Sequence, residues 1–74
     1  MFAKKNNVAE KIKILLVKEK MSVVDLAKAT DTSSQNWYNK LGRDNFTEDD
    51  LIKIARATNS IVEINFIREN GEKI

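Results

Sequence analysis

The stretch that most constrains this chain is residues 22–41, SVVDLAKATDTSSQNWYNKL, which is typical of two short helices joined by a tight turn. Ser22 can cap the first helix by accepting a free backbone N–H, and Asp25 completes a capping-box pattern. Asp31 is predicted to lie in the turn, and Ser33 caps the second helix. The rest of the chain is therefore expected to pack around this pair of capped helices.

The second helix of the pair carries an unusual outward face. Trp37 and Leu41 lie at inward positions four residues apart, and Gly42 is predicted to end the helix. An ordinary solvated face would consist of Glu and Lys, whereas here the outward residues are Ser34, Gln35, Tyr38 and Asn39. Gln and Asn can bond adenine N6 and N7 in a major groove, and Ser can bond several base edges. The alternative is a small helical domain with an unusually polar face.

Residues 22–41 resemble the helix-turn-helix of the Cro/cI-type (XRE-like) regulators of phages and bacteria. The resemblance covers roughly residues 7–58 and departs from the family at Asp31, where glycine is usual. The matching features are Ser22, Leu26, Ala27, Ser33, Trp37 and the polar residues that follow Ser33. The resemblance implies a sequence-specific transcriptional regulator, a Cro-like repressor, whose base contacts come from Ser34, Gln35 and Asn39, with Tyr38 beside them.

Residues around the helix pair are candidates for contacts with DNA phosphates. Lys40 and Arg43 are the best placed cations at the end of the second helix, and Asn45 could donate a further bond. Ser22, at the start of the first helix, belongs to the same predicted set. For Arg43, a surface ion pair with the acidic residues that follow it is an equally good interpretation. A basic segment at residues 1–6 is either a phosphate-binding arm or a solvated tail.

Composition excludes several classes of function. The chain has 74 residues, enough for one domain, and contains no Cys and no His. Disulfides, thiol nucleophiles, Cys/His metal sites and a histidine base are therefore excluded. With no acid–base pair, nucleophile or phosphate-binding loop visible, we expect no catalysis, no cofactor and no metal. No apolar run approaches the roughly 20 residues that span a membrane, so the cytoplasm is the expected location.

Two further helices are predicted on either side of the pair. The first covers residues 8–20, with Asn7 as its cap and Glu10 as the partner in a capping box. The last is capped by Thr47, and the acidic residues 48–50 fill its first turn, where they suit the positive end of the helix dipole. These three carboxylates could also suggest a metal site, but they point in different directions around the helix.

The final segment changes its hydrophobic period from helix to strand. Residues 61–68 alternate between two faces, Asn70-Gly71 signals a tight turn, and residues 72–74 would begin a return strand. Val62, Ile64 and Phe66 are predicted to face the helices. The second face and the free edge invite pairing with a second copy of the chain through Ile61, Glu63, Asn65 and Ile67. Alternatively, the strand only covers the core of a monomer.

Together these patterns predict one mostly α (α+β) domain over residues 1–74, with four helices and a C-terminal β-strand or hairpin. We expect it to bind duplex DNA as a homodimer, inserting the helix at residues 33–41 into the major groove. The rival hypothesis is a protein-interaction module on the same fold, an antirepressor or antitoxin-like partner of another regulator. The low net charge of +2 and the bulky Tyr38 favour that rival.

Overall fold

The computed structural model describes residues 7–74, and within this range the chain forms four helices. They are α1 (Val8–Lys18), α2 (Val23–Ala29), α3 (Ser34–Arg43) and α4 (Glu48–Ala57). The predicted small, mostly helical domain with four helices is therefore confirmed. The predicted basic arm at residues 1–6 lies outside the described residues.

All four helices contribute to one apolar core. Leu26 and Trp37 are its most deeply buried large side chains, and they join α2 to α3. The other buried members of the cluster are Ala9, Ile12, Leu16, Ala27, Leu41 and Ile54. They recur at helical spacing in the sequence, so each helix turns one stripe inward and leaves its charged residues outside.

The starts of α2 and α4 follow the local sequence. At α2 the Ser22 hydroxyl accepts the Asp25 N–H, and the Asp25 carboxylate accepts the Ser22 N–H in return. Thr47 and Asp50 make the same reciprocal pair at α4. Each box satisfies backbone donors that the first turn of a helix leaves free. Both predicted capping boxes are confirmed.

The predicted cap of α1 is wrong. Asn7 occupies the cap position in a left-handed conformation with φ 50°, and its side chain makes no capping bond. The Ala9 N–H instead donates to Oδ1 of Asp44, at 2.7 Å, from a residue 35 positions along the chain. The helix also ends at Lys18, two residues before the predicted end. A tertiary contact has therefore replaced the local capping box.

The end of α3 differs from the prediction as well. The helix continues through Gly42 to Arg43, and Asp44 makes the stop in the left-handed region with φ 51°. The Asp44 N–H donates to Leu41 O at 3.3 Å, and the Asn45 N–H donates to Lys40 O at 3.1 Å. Asp44 thus closes α3 with its backbone while its carboxylate caps α1.

The predicted strand at residues 61–68 is not formed; the described part of the chain contains only one isolated antiparallel bridge, between Ile67 and Lys73. Phe66 and Ile74 exchange two backbone hydrogen bonds of 2.8 Å, and Gly71 turns the chain with φ 89°. Residues 61–65 make no backbone hydrogen bond with any described residue. A two-stranded ribbon is marginal without a third strand, and this chain supplies none.

The inward face predicted for this segment is only partly correct. Val62 is half-buried, whereas Ile64 and Phe66 are exposed. A groove of about 470 Å³ lies between residues 60–65 and the helices α1 and α4. The segment therefore lies beside the core without filling the groove that it borders.

Candidate nucleic-acid interface

The position of α3 is set by Trp37. Its indole Nε1–H donates to Oγ1 of Thr30, at 2.9 Å, and the Thr30 hydroxyl donates to the Leu26 carbonyl at 2.7 Å. Because a buried indole N–H needs an acceptor, the polar Thr30 has a clear role at the end of α2. The bond fixes the two helices of the pair relative to one another.

The turn between α2 and α3 is held by backbone bonds around Asp31. Asp31 has φ 56°, and the following residue, Thr32, donates its N–H to Ala27 O at 3.0 Å. This is the Schellman arrangement, in which a left-handed residue lets the chain leave a helix. Ser33 then caps α3 by accepting the Asn36 N–H at 3.1 Å. The predicted turn at Asp31 and cap at Ser33 are both confirmed.

The outward face of α3 carries the four residues predicted to read bases. Gln35, Tyr38 and Asn39 are exposed and Ser34 is half-buried; Tyr38 is 53% exposed. The spacing of three and four residues places them side by side along the helix. Nε2 of Gln35 donates to Oδ1 of Asn39 at 3.0 Å. Trp37 and Leu41 face the core from the opposite side, so this face is carried on a rigid support.

Ser22, one of the residues predicted to bind phosphate, is exposed at the start of α2. Its oxygen accepts the Asp25 N–H, and its own O–H stays available to donate. The Ser22 backbone N–H, followed by the Ser22 hydroxyl, holds the pKa of the Asp25 carboxyl below its usual value. The carboxylate beside Ser22 is therefore charged near neutral pH, which places a negative group close to this proposed contact.

Lys40 has a partner that sequence reasoning missed. Its Nζ forms an ion pair of 2.7 Å with Oδ2 of Asp50, and it lies 5.7 Å from the centre of the Trp37 ring. Burial raises the pKa of Asp50, but hydrogen bonds from Lys40 and from the Thr47 backbone and hydroxyl outweigh that effect, and the pKa is lowered. Lys40 therefore joins the end of α3 to the start of α4.

Arg43 and Asn45 lie exposed in the connection between α3 and α4. Neither side chain makes an ion pair or hydrogen bond with any residue in the range 7–74. Asp44, the nearest acidic neighbour of Arg43, is engaged at the start of α1. The alternative interpretation of Arg43 as a surface ion pair is therefore not seen among the described residues.

The acidic residues at the start of α4 have roles other than metal binding. Asp50 completes the capping box and pairs with Lys40, and Asp49 pairs with Lys53 at 3.2 Å. Across residues 7–74, no group of three potential ligands is gathered as a metal site requires. These carboxylates stabilise the helix start and face the α3 end through Lys40.

The residues predicted to form a dimer are all exposed. Ile61 is 94% exposed, and Ile67 is also largely open to solvent. Glu63 and Asn65, between them, are joined by a hydrogen bond of 3.1 Å. The structure therefore leaves this set available to a partner.

None of the helices in the described range has the length and apolar character needed to cross a membrane. Comparisons with protein families, with curated proteins and with solved structures return no match for this chain. A function is therefore proposed from the geometry of the chain itself.

Proposed function

We propose that this protein is a sequence-specific regulator of transcription, a Cro-like repressor that binds duplex DNA in the cytoplasm of a bacterium. The observation that carries the proposal is the outward face of α3. It presents neutral hydrogen-bonding groups of Gln35 and Asn39, with Ser34 and Tyr38 beside them, on a helix anchored by buried Trp37. Such groups match the base edges of a major groove, which is wide enough to admit a helix.

Phosphate contacts would hold α3 in register. Arg43 and Asn45 lie just beyond the helix end, where the DNA backbone would pass, and no described residue competes for their side chains. Ser22 offers a hydroxyl at the start of α2. Lys40 remains a predicted contact, but its pairing with Asp50 makes it a weaker source of attraction than Arg43.

A homodimer is the proposed binding form, with Ile61, Glu63, Asn65 and Ile67 at its interface. Five large apolar side chains of the last 14 residues are exposed: Ile61, Ile64, Phe66, Ile67 and Ile74. An apolar patch of this kind is typical of a contact surface on a small domain. A two-fold dimer would read a palindromic site whose half-sites lie about 34 Å apart.

Alanine substitutions separate base reading from phosphate binding. We expect Gln35→Ala or Asn39→Ala to cost about 1–3 kcal/mol at the preferred site and little on random DNA. Arg43→Ala should weaken all sequences alike and reduce the slope of log affinity against log salt by about one per phosphate lost. Affinities for both duplexes at several salt concentrations measure these effects.

Two matched controls belong to this experiment. Asn36→Ala removes an amide from the same helix, but this amide bonds Thr32 at 3.3 Å, so base preference should persist. Arg56→Ala removes the same charge as Arg43→Ala at the far end of α4, about 12 Å of helix away from the connection. If the Gln35 and Asn39 variants bind the preferred site as the parent does, α3 is not the reading helix.

The second candidate function is a protein-interaction module, an antirepressor or antitoxin-like partner of another regulator. The exposed Tyr38 and the apolar C-terminal segment favour it, as does the neutralisation of Lys40 by Asp50. The same salt series discriminates the two functions. A DNA-binding protein retains random duplex at low salt and releases it as salt rises, whereas a protein-binding module ignores duplex DNA at every salt concentration.

A further inference from the structure

The two exposed amides of α3 are bonded to each other. Nε2 of Gln35 donates to Oδ1 of Asn39 at 3.0 Å, across one turn of the helix. A side-chain amide has one carbonyl oxygen, which accepts, and one NH₂ group with two hydrogens, which donate. The bond therefore uses one Gln35 hydrogen and turns the Asn39 oxygen back along the helix.

The groups left over differ between the two residues. Gln35 keeps its Oε1 acceptor and one N–H, whereas Asn39 keeps its Nδ2 donors, and none of these bonds any other residue in the range 7–74. Gln35 therefore presents an acceptor next to a donor. Asn39 presents donors.

We infer that Gln35 and Asn39 read two nearby base pairs as one bonded unit, an inference that rests on the proposed function. Gln35 matches adenine, whose N6 donates and whose N7 accepts. Asn39, with its donors directed away from Gln35, matches a base that offers acceptors, which is guanine through O6 and N7 or thymine through O4. Four residues of helix rise about 6 Å, which covers one or two base-pair steps of about 3.4 Å.

This inference distinguishes Asn39 from an independent asparagine. An unconstrained Asn would present both amide atoms and prefer adenine, as Gln35 does. With its oxygen engaged, Asn39 instead disfavours cytosine, whose major-groove edge offers only the N4 donor. The expected site therefore contains an adenine accompanied by a guanine or thymine, rather than two adenines.

The test is selection of bound sequences from a random duplex pool, with the parent and three variants. Gln35→Ala should remove the adenine preference and so identify the position that Gln35 reads. Asn39→Asp keeps an acceptor for Gln35 Nε2 but replaces the outward donors with an acceptor. It should shift the second position from guanine or thymine to cytosine or adenine by about tenfold and leave the first adenine in place. Asn36→Asp adds the same charge to the half-buried side of α3 and should leave both positions unchanged.

Each outcome decides between distinct conclusions. A parent that enriches no sequence overturns the proposed function itself. A parent that enriches a site with two adenines, or an Asn39→Asp variant that keeps the parent preference, overturns the bonded pair while retaining DNA binding. A change at both positions in Asn36→Asp as well as Asn39→Asp assigns the shift to charge alone and also overturns it.

Discussion

At the scale of single residues, Trp37 is the side chain that determines how α3 is presented. It is 1% exposed, and its indole bond to Thr30 is the polar link between α3 and the end of α2. Thr30 stands where an apolar residue would pack equally well, so its hydroxyl is explained by the indole N–H. Shape and hydrogen bonding at this position therefore act together.

We expect Trp37→Ala to lower the free energy of unfolding by about 3–5 kcal/mol, which is enough to unfold so small a domain. Trp37→Phe keeps most of the apolar volume and loses the hydrogen bond to Thr30, so its cost should be only about 1–2 kcal/mol. Urea titrations followed by circular dichroism measure both. A fully folded Trp37→Ala protein that lost only DNA binding would place this side chain on the surface and reverse the orientation of α3.

A second residue-scale effect concerns Asp50, whose pKa lies below its unfolded value of 3.8. A group with a lowered pKa stabilises the fold above the unfolded pKa, and this stabilisation is lost as pH falls through the folded pKa. Stability should therefore decrease when pH is lowered below about 4, and Asp50→Asn should reduce this decrease.

At pH 7 Asp50→Asn should cost about 1–3 kcal/mol, because it leaves Lys40 unpaired and weakens the cap. Asp49→Asn is the matched control in the same helical turn; its ion pair with Lys53 is largely exposed, so the cost should be below about 1 kcal/mol. Urea midpoints measured from pH 3 to 7 provide the comparison. Equal acid sensitivity in the parent and Asp50→Asn would contradict the role of this carboxylate.

At the scale of elements, the helix ends show how this chain manages with two glycines. The residue that leaves each helix has a positive φ, and none of the four is glycine: Lys20, Asp31, Asp44 and Asn59. Met21 N–H to Leu16 O and Ser60 N–H to Ala55 O complete Schellman motifs after α1 and α4. Asp and Asn tolerate this conformation better than most residues, whereas Lys20 does not.

Lys20→Gly should therefore raise the free energy of unfolding by about 0.5–1 kcal/mol, because glycine adopts a positive φ without a steric cost. Lys18→Gly removes the same charge two residues earlier, inside α1, and should lower stability by up to about 1 kcal/mol. Thermal or urea unfolding of the two variants measures the difference. If both changes are destabilising, the left-handed conformation of Lys20 is not a source of strain.

At the scale of the whole molecule, the C-terminal segment is the part that a single chain leaves incomplete. Its apolar side chains are exposed, and the backbone of residues 61–65 lacks partners within the described residues. Exposed strand-like edges of this kind favour pairing with another chain. The proposed homodimer accounts for both features.

Ultracentrifugation at micromolar concentration should therefore give a mass near twice the 8.5 kDa of one chain. Ile61→Asp combined with Ile67→Asp should convert the dimer to a folded monomer, because both side chains are exposed in the single chain and a buried charge at an interface is costly. Val17→Asp, at an exposed position on α1, is the matched control and should leave the dimer intact. A parent that sediments as a monomer would remove the dimer and the palindromic site with it.

The sequence alone determined those features of the protein that depend on neighbours within one helical turn. The boxes at Ser22 and Thr47, the cap at Ser33 and the turn at Asp31 were all predictable, because the donor and acceptor lie three or four residues apart. Hydrophobic spacing likewise predicted that Trp37 faces inward, and so which side of α3 is left to solvent.

The tertiary structure alone decided the contacts between residues that are distant along the chain. Asp44 caps α1 from 35 residues away, and Lys40 pairs with Asp50 ten residues later. Neither partner can be chosen until the helices have packed, since many charged side chains of this chain could have served equally well. The strand predicted at residues 61–68 did not form for a related reason: alternation specifies two faces, but a strand also needs a neighbour for its backbone, and a single chain offers these residues none.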